Sequence, residues 1–77
     1  MASPNDTSLR IARAVSQAIK DAGLSENAVA TRSGIPQSTL NRRLSGLTPL
    51  TVVELAAIAG VLDVSVARLI APAEDAA

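Results

Sequence analysis

A three-residue connection, Gly34-Ile35-Pro36, separates two short helical segments and constrains the fold more than any other feature of the sequence. Glycine commonly ends a helix because it adopts the left-handed conformation at no steric cost. A connection this short allows the two flanking helices to meet only at a steep angle. We therefore predict helices over residues 26–33 and 37–44, joined as a helix-turn-helix unit.

Similar start and stop signals define the neighbouring helices. Apolar residues spaced by three and four predict a first helix over residues 8–22. Gly23 follows as a left-handed stop, and Ser25 can cap the next helix. Thr51 and Glu54 have the Thr-x-x-Glu spacing of a capping box. A strongly apolar run follows this box, so the fourth helix is expected to be largely buried.

The C-terminal part of the chain is also predicted to be helical, which makes the predicted fold all-α. Ser65 can cap a short fifth helix that ends at Ile70, and no strand-like alternation is present. We predict five helices in a helix-turn-helix domain over residues 8–71. A flexible N-terminus over 1–7 and a disordered acidic tail over 72–77 are expected to flank it.

The composition excludes several classes of function. The chain has no cysteine and no histidine, which removes disulfides, thiolate metal sites and the commonest general base. We find no glycine-rich phosphate loop and no spaced carboxylate cluster, so we expect no enzyme, metal or cofactor. Without aromatic residues the chain cannot stack single-stranded bases. No apolar run is long enough for a bilayer, so we expect a cytoplasmic protein without membrane contact.

The net charge of zero conceals an uneven distribution of charge along the chain. Residues 1–46 hold six basic and three acidic groups, whereas residues 47–77 hold one basic and four acidic groups. Zero net charge by itself argues against nucleic acid, since phosphate binding depends on Lys and Arg. The charges of +3 and −3 on the two parts instead indicate a basic face with a partner.

The predicted third helix has an apolar side and a polar side. On a helical wheel Leu40 and Leu44 fall together, while Ser38 and Arg42 lie opposite. In the major groove Asn and Gln pair with adenine, and Arg pairs with guanine. The alternative is a polar face that is merely solvated. We predict that double-stranded DNA is the partner and that its bases are read by Gln37, Asn41 and Arg42. Ser38 can contact either a base or a phosphate.

Two residues near this helix have more than one predicted role. Thr51 places its hydroxyl and the N-terminus of the fourth helix where a phosphate could approach. Arg43, at the edge of the apolar side, can contact phosphate or pair with an acid such as Glu54. Both roles of Arg43 stay open at this point.

These residues together resemble the lambda-repressor-like (Cro/C1-type, XRE) helix-turn-helix family over about residues 8–70. The resemblance is carried by Leu24-Ser25-x3-Val29-Ala30-x3-Gly34-Ile35-x-Gln37-Ser38-Thr39-Leu40, followed by Gly46, Leu55-x2-Ile58-Ala59 and Leu62-x-Val64-Ser65. It implies a five-helix DNA-binding domain. The positions that would hold the turn together are Val29, Ala30, Gly34, Ile35, Leu40 and Leu44.

The resemblance also implies which side chains contact DNA, and where this chain departs from the family. Base contacts fall on Gln37, Ser38 and Asn41, with Arg42 as an addition, and phosphate contacts fall on Asn27, Ser45 and Thr51. Glu26 stands where many relatives carry glutamine, and its carboxylate would repel phosphate. Arg43 occupies a usually apolar position, and Pro36 replaces a small capping residue.

The function that the resemblance implies is transcriptional repression by operator occlusion, as in small phage or prophage Cro-type repressors. A homodimer on a pseudo-palindromic operator is expected, because one short helix reads few base pairs. Val64, Val66 and Ile70 either form the dimer contact or complete the core.

Two other functions are the alternatives to repression: an antitoxin-like protein-interaction module, and a phage excision or recombination accessory factor. A repressor holding about five phosphates should show a log–log salt slope near −4 to −5, whereas an interaction module should show little salt dependence.

Overall fold

The computed structural model describes residues 4–75, with side chains described over residues 6–74. This part of the chain folds into five α-helices and contains no strand: α1 (Pro4–Asp21), α2 (Glu26–Ser33), α3 (Gln37–Leu44), α4 (Val52–Leu62) and α5 (Val66–Asp75). The predicted all-α fold with five helices is confirmed. None of these helices has the length and apolar character needed to cross a membrane.

The helices enclose one small aliphatic core. α1 packs against α3 and α5, α2 packs against α3 and α4, and α4 packs against α5. No polar or charged residue of the described part is buried. The core cluster consists of Val15, Ile19, Val29, Ala30, Leu40, Leu44, Leu55, Ile58, Ala59 and Leu69. The helix-turn-helix unit is therefore held by the same apolar contacts that hold the whole domain.

The turn between α2 and α3 forms as its residues predict. The Ser25 Oγ accepts a hydrogen bond of 3.1 Å from the Ala28 N–H and caps α2. Gly34 adopts a left-handed conformation with φ +78°, and its N–H donates to the Ala30 carbonyl at 3.0 Å. Ile35 is half-buried and packs against the core. The predicted bounds of α2 and α3 are confirmed.

The first helix begins earlier than residue 8, so that predicted boundary was wrong. α1 starts at Pro4 and carries Asp6 in its first turn. Proline is tolerated at the start of a helix because its missing N–H would have no partner there, and an acidic side chain is favoured at the positive end of the helix dipole. Residues 1–3 of the predicted flexible segment lie outside the described residues.

The last helix continues past Ile70, so that boundary was also wrong. α5 runs to Asp75 with Pro72 inside it. A proline within a helix removes one N–H donor and crowds the preceding turn. Tertiary packing outweighs that cost here, because Pro72 lines a groove with Ala14 of α1 and α5 packs along α1. Residues 76–77 of the predicted tail lie outside the described residues.

The fourth helix is less buried than its apolar sequence suggests. Only Leu55, Ile58 and Ala59 are buried, whereas Val52 and Val53 are 77% and 78% exposed. Residues spaced by three and four lie on one face of a helix, and only one face of α4 can meet the core. The prediction that α4 is largely buried was therefore wrong.

Asp63 ends α4 in a left-handed conformation, with φ +57°, and is the one non-glycine residue in the described part with a positive φ. Its carboxylate also lies at the negative end of the helix dipole. We expect Asp63→Gly to raise the free energy of unfolding by about 0.5–1 kcal/mol, since glycine adopts this conformation without strain. Urea denaturation followed by far-UV circular dichroism measures the change.

A control separates strain from charge at this position. Asp63→Asn removes the charge and keeps the branched side chain, so it should give a smaller gain than Asp63→Gly. A loss of stability in Asp63→Gly would show that the aspartate side chain makes a stabilising contact.

Candidate nucleic-acid interface

α3 presents its polar residues to solvent because its apolar residues are anchored in the core. Leu40 and Leu44 are 1% and 8% exposed and lie on the inner side of the helix. The four residues predicted to read bases are all exposed on the outer side, and they line one open groove together with Leu47: Gln37, Ser38, Asn41 and Arg42. Their side chains make no hydrogen bond or ion pair with any described residue. All of their polar groups are therefore available to a ligand.

The start of α3 adds further donors to this surface. Pro36 occupies the capping position, and no side chain caps the helix. The first turn contains no acidic residue, and the last turn contains Arg42 and Arg43. The uncapped N–H groups of a first helical turn point along the axis and attract negative charge. The surface is therefore built from donors and positive charge, as a DNA ligand requires.

Arg43 turns away from the groove and toward α4. Its Nε donates to both carboxylate oxygens of Glu54, at 3.1 and 3.2 Å, and its Nη1 donates to the Thr48 Oγ1 at 2.8 Å. The Arg43 side chain is 25% exposed and that of Glu54 is 15% exposed. Of the two predicted roles of Arg43, the structure shows the pairing with Glu54. A phosphate contact would have to compete with these three hydrogen bonds.

Glu54 belongs to the capping box of α4 as well as to this ion pair. Its Oε1 accepts from the Thr51 N–H at 2.9 Å, and the Thr51 Oγ1 accepts from the Glu54 N–H at 3.1 Å. Burial acts to raise the pKa of Glu54, but the Thr51 N–H and the Arg43 guanidinium outweigh it, so the pKa is lowered. The Thr51 hydroxyl only accepts here and keeps its proton for another acceptor.

The remaining predicted phosphate contacts lie at helix ends. Asn27 is exposed in the first turn of α2, beside the exposed carboxylate-bearing Glu26. Ser45 follows α3 and is exposed, and its Oγ donates to the Arg42 carbonyl at 2.8 Å. The Ser45 hydroxyl would therefore have to rotate in order to donate to a phosphate.

The three candidate dimer residues, Val64, Val66 and Ile70, are half-buried. All three pack against the core cluster. The packing agrees with the alternative in which they complete the core. Their part in a dimer contact stays a prediction.

Comparison with protein families decides which kind of domain this is. A family model described as helix-turn-helix matches residues 15–69, more than two thirds of the chain. The chain belongs to the Cro/C1-type helix-turn-helix family. Comparison with curated proteins and with solved structures gave no match.

The matched residues of this Cro/C1-type domain contain the whole helix-turn-helix and the α4 capping box. The family identifies the protein as a DNA-binding regulator. Within residues 4–75 there is no group of acidic residues that could hold a metal ion.

The sequence did not single out Leu47 or Thr48 as parts of this site. Leu47 lines the groove, and Thr48 accepts from Arg43. Both lie in the connection between α3 and α4, where residues follow no helical period. The sequence feature that could have pointed to Leu47 is its apolar side chain directly after Gly46, in a loop segment that ends at Pro49.

Proposed function

We propose that this Cro/C1-type domain binds an operator in double-stranded DNA as a homodimer and represses transcription by occluding the promoter, as a small phage or prophage repressor does. The observation that carries the proposal is the outer side of α3, where four exposed polar residues with no hydrogen-bond partner in the described part of the chain line one groove. An exposed α-helix of this kind fits the major groove of B-DNA.

The chemistry of each side chain suggests its target. The Gln37 and Asn41 amides can pair bidentately with the N6 and N7 edge of adenine, and the Arg42 guanidinium with the O6 and N7 edge of guanine. Ser38 can donate to a base or to a phosphate. A half-site that contains both adenine and guanine is therefore expected.

Contacts to phosphate would orient the protein without reading sequence. We assign them to Asn27 at the start of α2, to Ser45 after α3 and to the Thr51 hydroxyl at the start of α4. Three helix ends would then contact the DNA backbone near the bases read by α3. Arg43 would contribute indirectly, since it holds the end of α3 to Glu54 and Thr48.

We propose a dimer because the recognition helix α3 is short. α3 has eight residues and is about 12 Å long, so one copy covers few base pairs. A two-fold dimer places its recognition helices about 34 Å apart, on half-sites one helical turn apart. Val64, Val66 and Ile70 are the proposed contact, formed by the parts of their side chains that the core leaves uncovered.

Selection from a random duplex pool, followed by fluorescence-anisotropy titration, tests the proposal. We expect an operator with inverted half-sites, and Arg42→Ala should weaken binding to it by about 30-fold or more, because it removes one bidentate base contact from each half-site. Affinity for random duplex should fall much less. The control is Arg13→Ala, which removes the same charge from an exposed position on α1 and should change operator affinity less than twofold.

Salt dependence distinguishes the main alternative. Binding through about five phosphates gives a log–log slope of about −4 to −5. The zero net charge and the exposed Glu26 favour an antitoxin-like protein-interaction module instead. That function predicts feeble binding with a slope near zero and no selected sequence, and such a result would rule out the repressor. An excision or recombination accessory factor would also select a sequence, so a promoter-reporter assay must show repression.

A further inference from the structure

Leu47 is an apolar side chain in an otherwise polar groove. It is 78% exposed, whereas most aliphatic residues of the described part lie in or against a single core. Val52 and Val53 at the start of α4 are exposed to a similar degree, but neither lines the groove. Leu47 lines the groove with Gln37, Ser38, Asn41 and Arg42, and it is the one apolar residue among the five. An isolated exposed leucine is common on protein surfaces, so exposure alone assigns no role. The position in this groove is the observation that requires an explanation.

The backbone on both sides of Leu47 is held in place. Gly46 has φ +85°, and a Cβ at this position would lie 2.6 Å from the Leu9 Cδ1 of α1, so the turn is packed closely on α1. The Gly46 N–H donates to the Arg43 carbonyl at 3.2 Å. On the other side the Thr48 Oγ1 accepts from the Arg43 Nη1 at 2.8 Å. Leu47 is therefore presented to the groove from an anchored turn rather than from a free loop.

The bases offer one apolar group in the major groove, the C5-methyl group of thymine. We propose that Leu47 contacts a thymine methyl group in each half-site and so adds a thymine preference beside the bases read by α3. The inference rests on the proposed operator binding and deepens it, since it names a specificity-determining residue outside the recognition helix. Removing one methyl group from such a contact should weaken binding about fourfold.

Replacement of thymine by uracil tests the contact, because uracil lacks only the C5-methyl group. Each thymine of the selected operator is replaced in turn, in both half-sites together, and the affinities of the wild type and Leu47→Ala are measured by anisotropy. For the wild type, one thymine position should show a loss of about 15-fold, which is fourfold for each half-site. In Leu47→Ala that position should become insensitive to the replacement, while the other thymines keep their wild-type effects.

Two further variants make the result specific to the leucine side chain. Leu47→Met keeps an apolar group and should retain the thymine preference, whereas Leu47→Asn should lose it. Val53→Ala truncates an equally exposed apolar residue of α4 outside the groove, and it should leave every uracil effect unchanged. Far-UV circular dichroism confirms that each variant is folded.

The outcomes separate this inference from the proposed function. If an Arg42-dependent operator is found but no uracil effect depends on Leu47, the thymine contact is refuted and operator binding stands. If Leu47→Ala weakens thymine and uracil operators equally at every position, Leu47 contacts the sugar–phosphate backbone instead and the inference is overturned. If no operator is selected at all, the proposed function fails first.

Discussion

Leu40→Ala is expected to lower the free energy of unfolding by about 3–4 kcal/mol. Leu40 is 1% exposed and joins α3 to the core, so the truncation leaves a cavity that the neighbouring helices can fill only in part. A domain of 77 residues has a total stability of about 4–11 kcal/mol. The variant should therefore lose a large share of its stability and much of its DNA affinity.

Urea denaturation followed by far-UV circular dichroism is the measurement, because a chain without aromatic residues has no intrinsic fluorescence to follow. Leu47→Ala is a matched control, since it makes the same chemical change at a residue that is 78% exposed. It should change stability by less than about 0.5 kcal/mol. Equal losses in the two variants would contradict the packing of α3 described above.

Glu54→Ala is expected to have the second largest effect, a loss of about 2–3 kcal/mol. The substitution removes the acceptor for the Thr51 N–H and leaves the half-buried Arg43 without its counter-charge. The loss of the capping-box hydrogen bond from the Thr51 N–H costs about 1 kcal/mol, and a charge left unpaired costs more than the pair contributed. Glu74→Ala, at an exposed position of α5, is the control and should be nearly neutral. A loss no greater than that of the control would mean that the pair and the cap do not stabilise the α3–α4 corner.

The Glu54 carboxylate also makes the free energy of unfolding depend on pH, so that stability falls in acid. The pKa of Glu54 in the folded protein lies below its ordinary value of 4.5, since the Thr51 N–H and Arg43 outweigh the effect of burial. A lowered pKa contributes stability that is complete above about pH 4.5 and is lost as the pH falls through the folded pKa. Glu54→Gln should remove this contribution. In urea denaturation at a series of pH values, the difference in stability between wild type and variant should shrink as the pH falls below about 4.5 and should level off below the folded pKa.

The helix-turn-helix could be predicted because its signals are local. Ser25 and Gly34 act within a few residues of the ends that they define, and the bounds of α2 and α3 followed from them. The end of α5 could not be predicted, since Pro72 is a stop signal that only packing on α1 overrides. In α4 the apolar residues surround the helix, so the pattern did not reveal which side faces solvent.

Parts of the candidate site could likewise be predicted from local sequence, and other parts depended on tertiary contacts. The outward direction of Ser38 and Arg42 follows from helical geometry alone, and the structure places both on the exposed side. The partner of Arg43 depends on how α3 and α4 meet, so the sequence could offer only alternatives. Leu47 lies in a turn, where the direction of a side chain depends on three-dimensional contacts such as that between Gly46 and Leu9.

The four groove residues of α3 have no hydrogen-bond or ion-pair partner among the described residues, so DNA specificity and fold stability depend on different parts of the chain. Substitution at any of them should alter which DNA is bound and leave the folding equilibrium almost untouched. A lineage could therefore acquire a new operator through single substitutions without first gaining spare stability. Because the residues that contact DNA differ from those that stabilise the fold, the domain is also a scaffold for laboratory selection. Such a selection would randomise Gln37, Ser38, Asn41 and Arg42 and keep the aliphatic core constant.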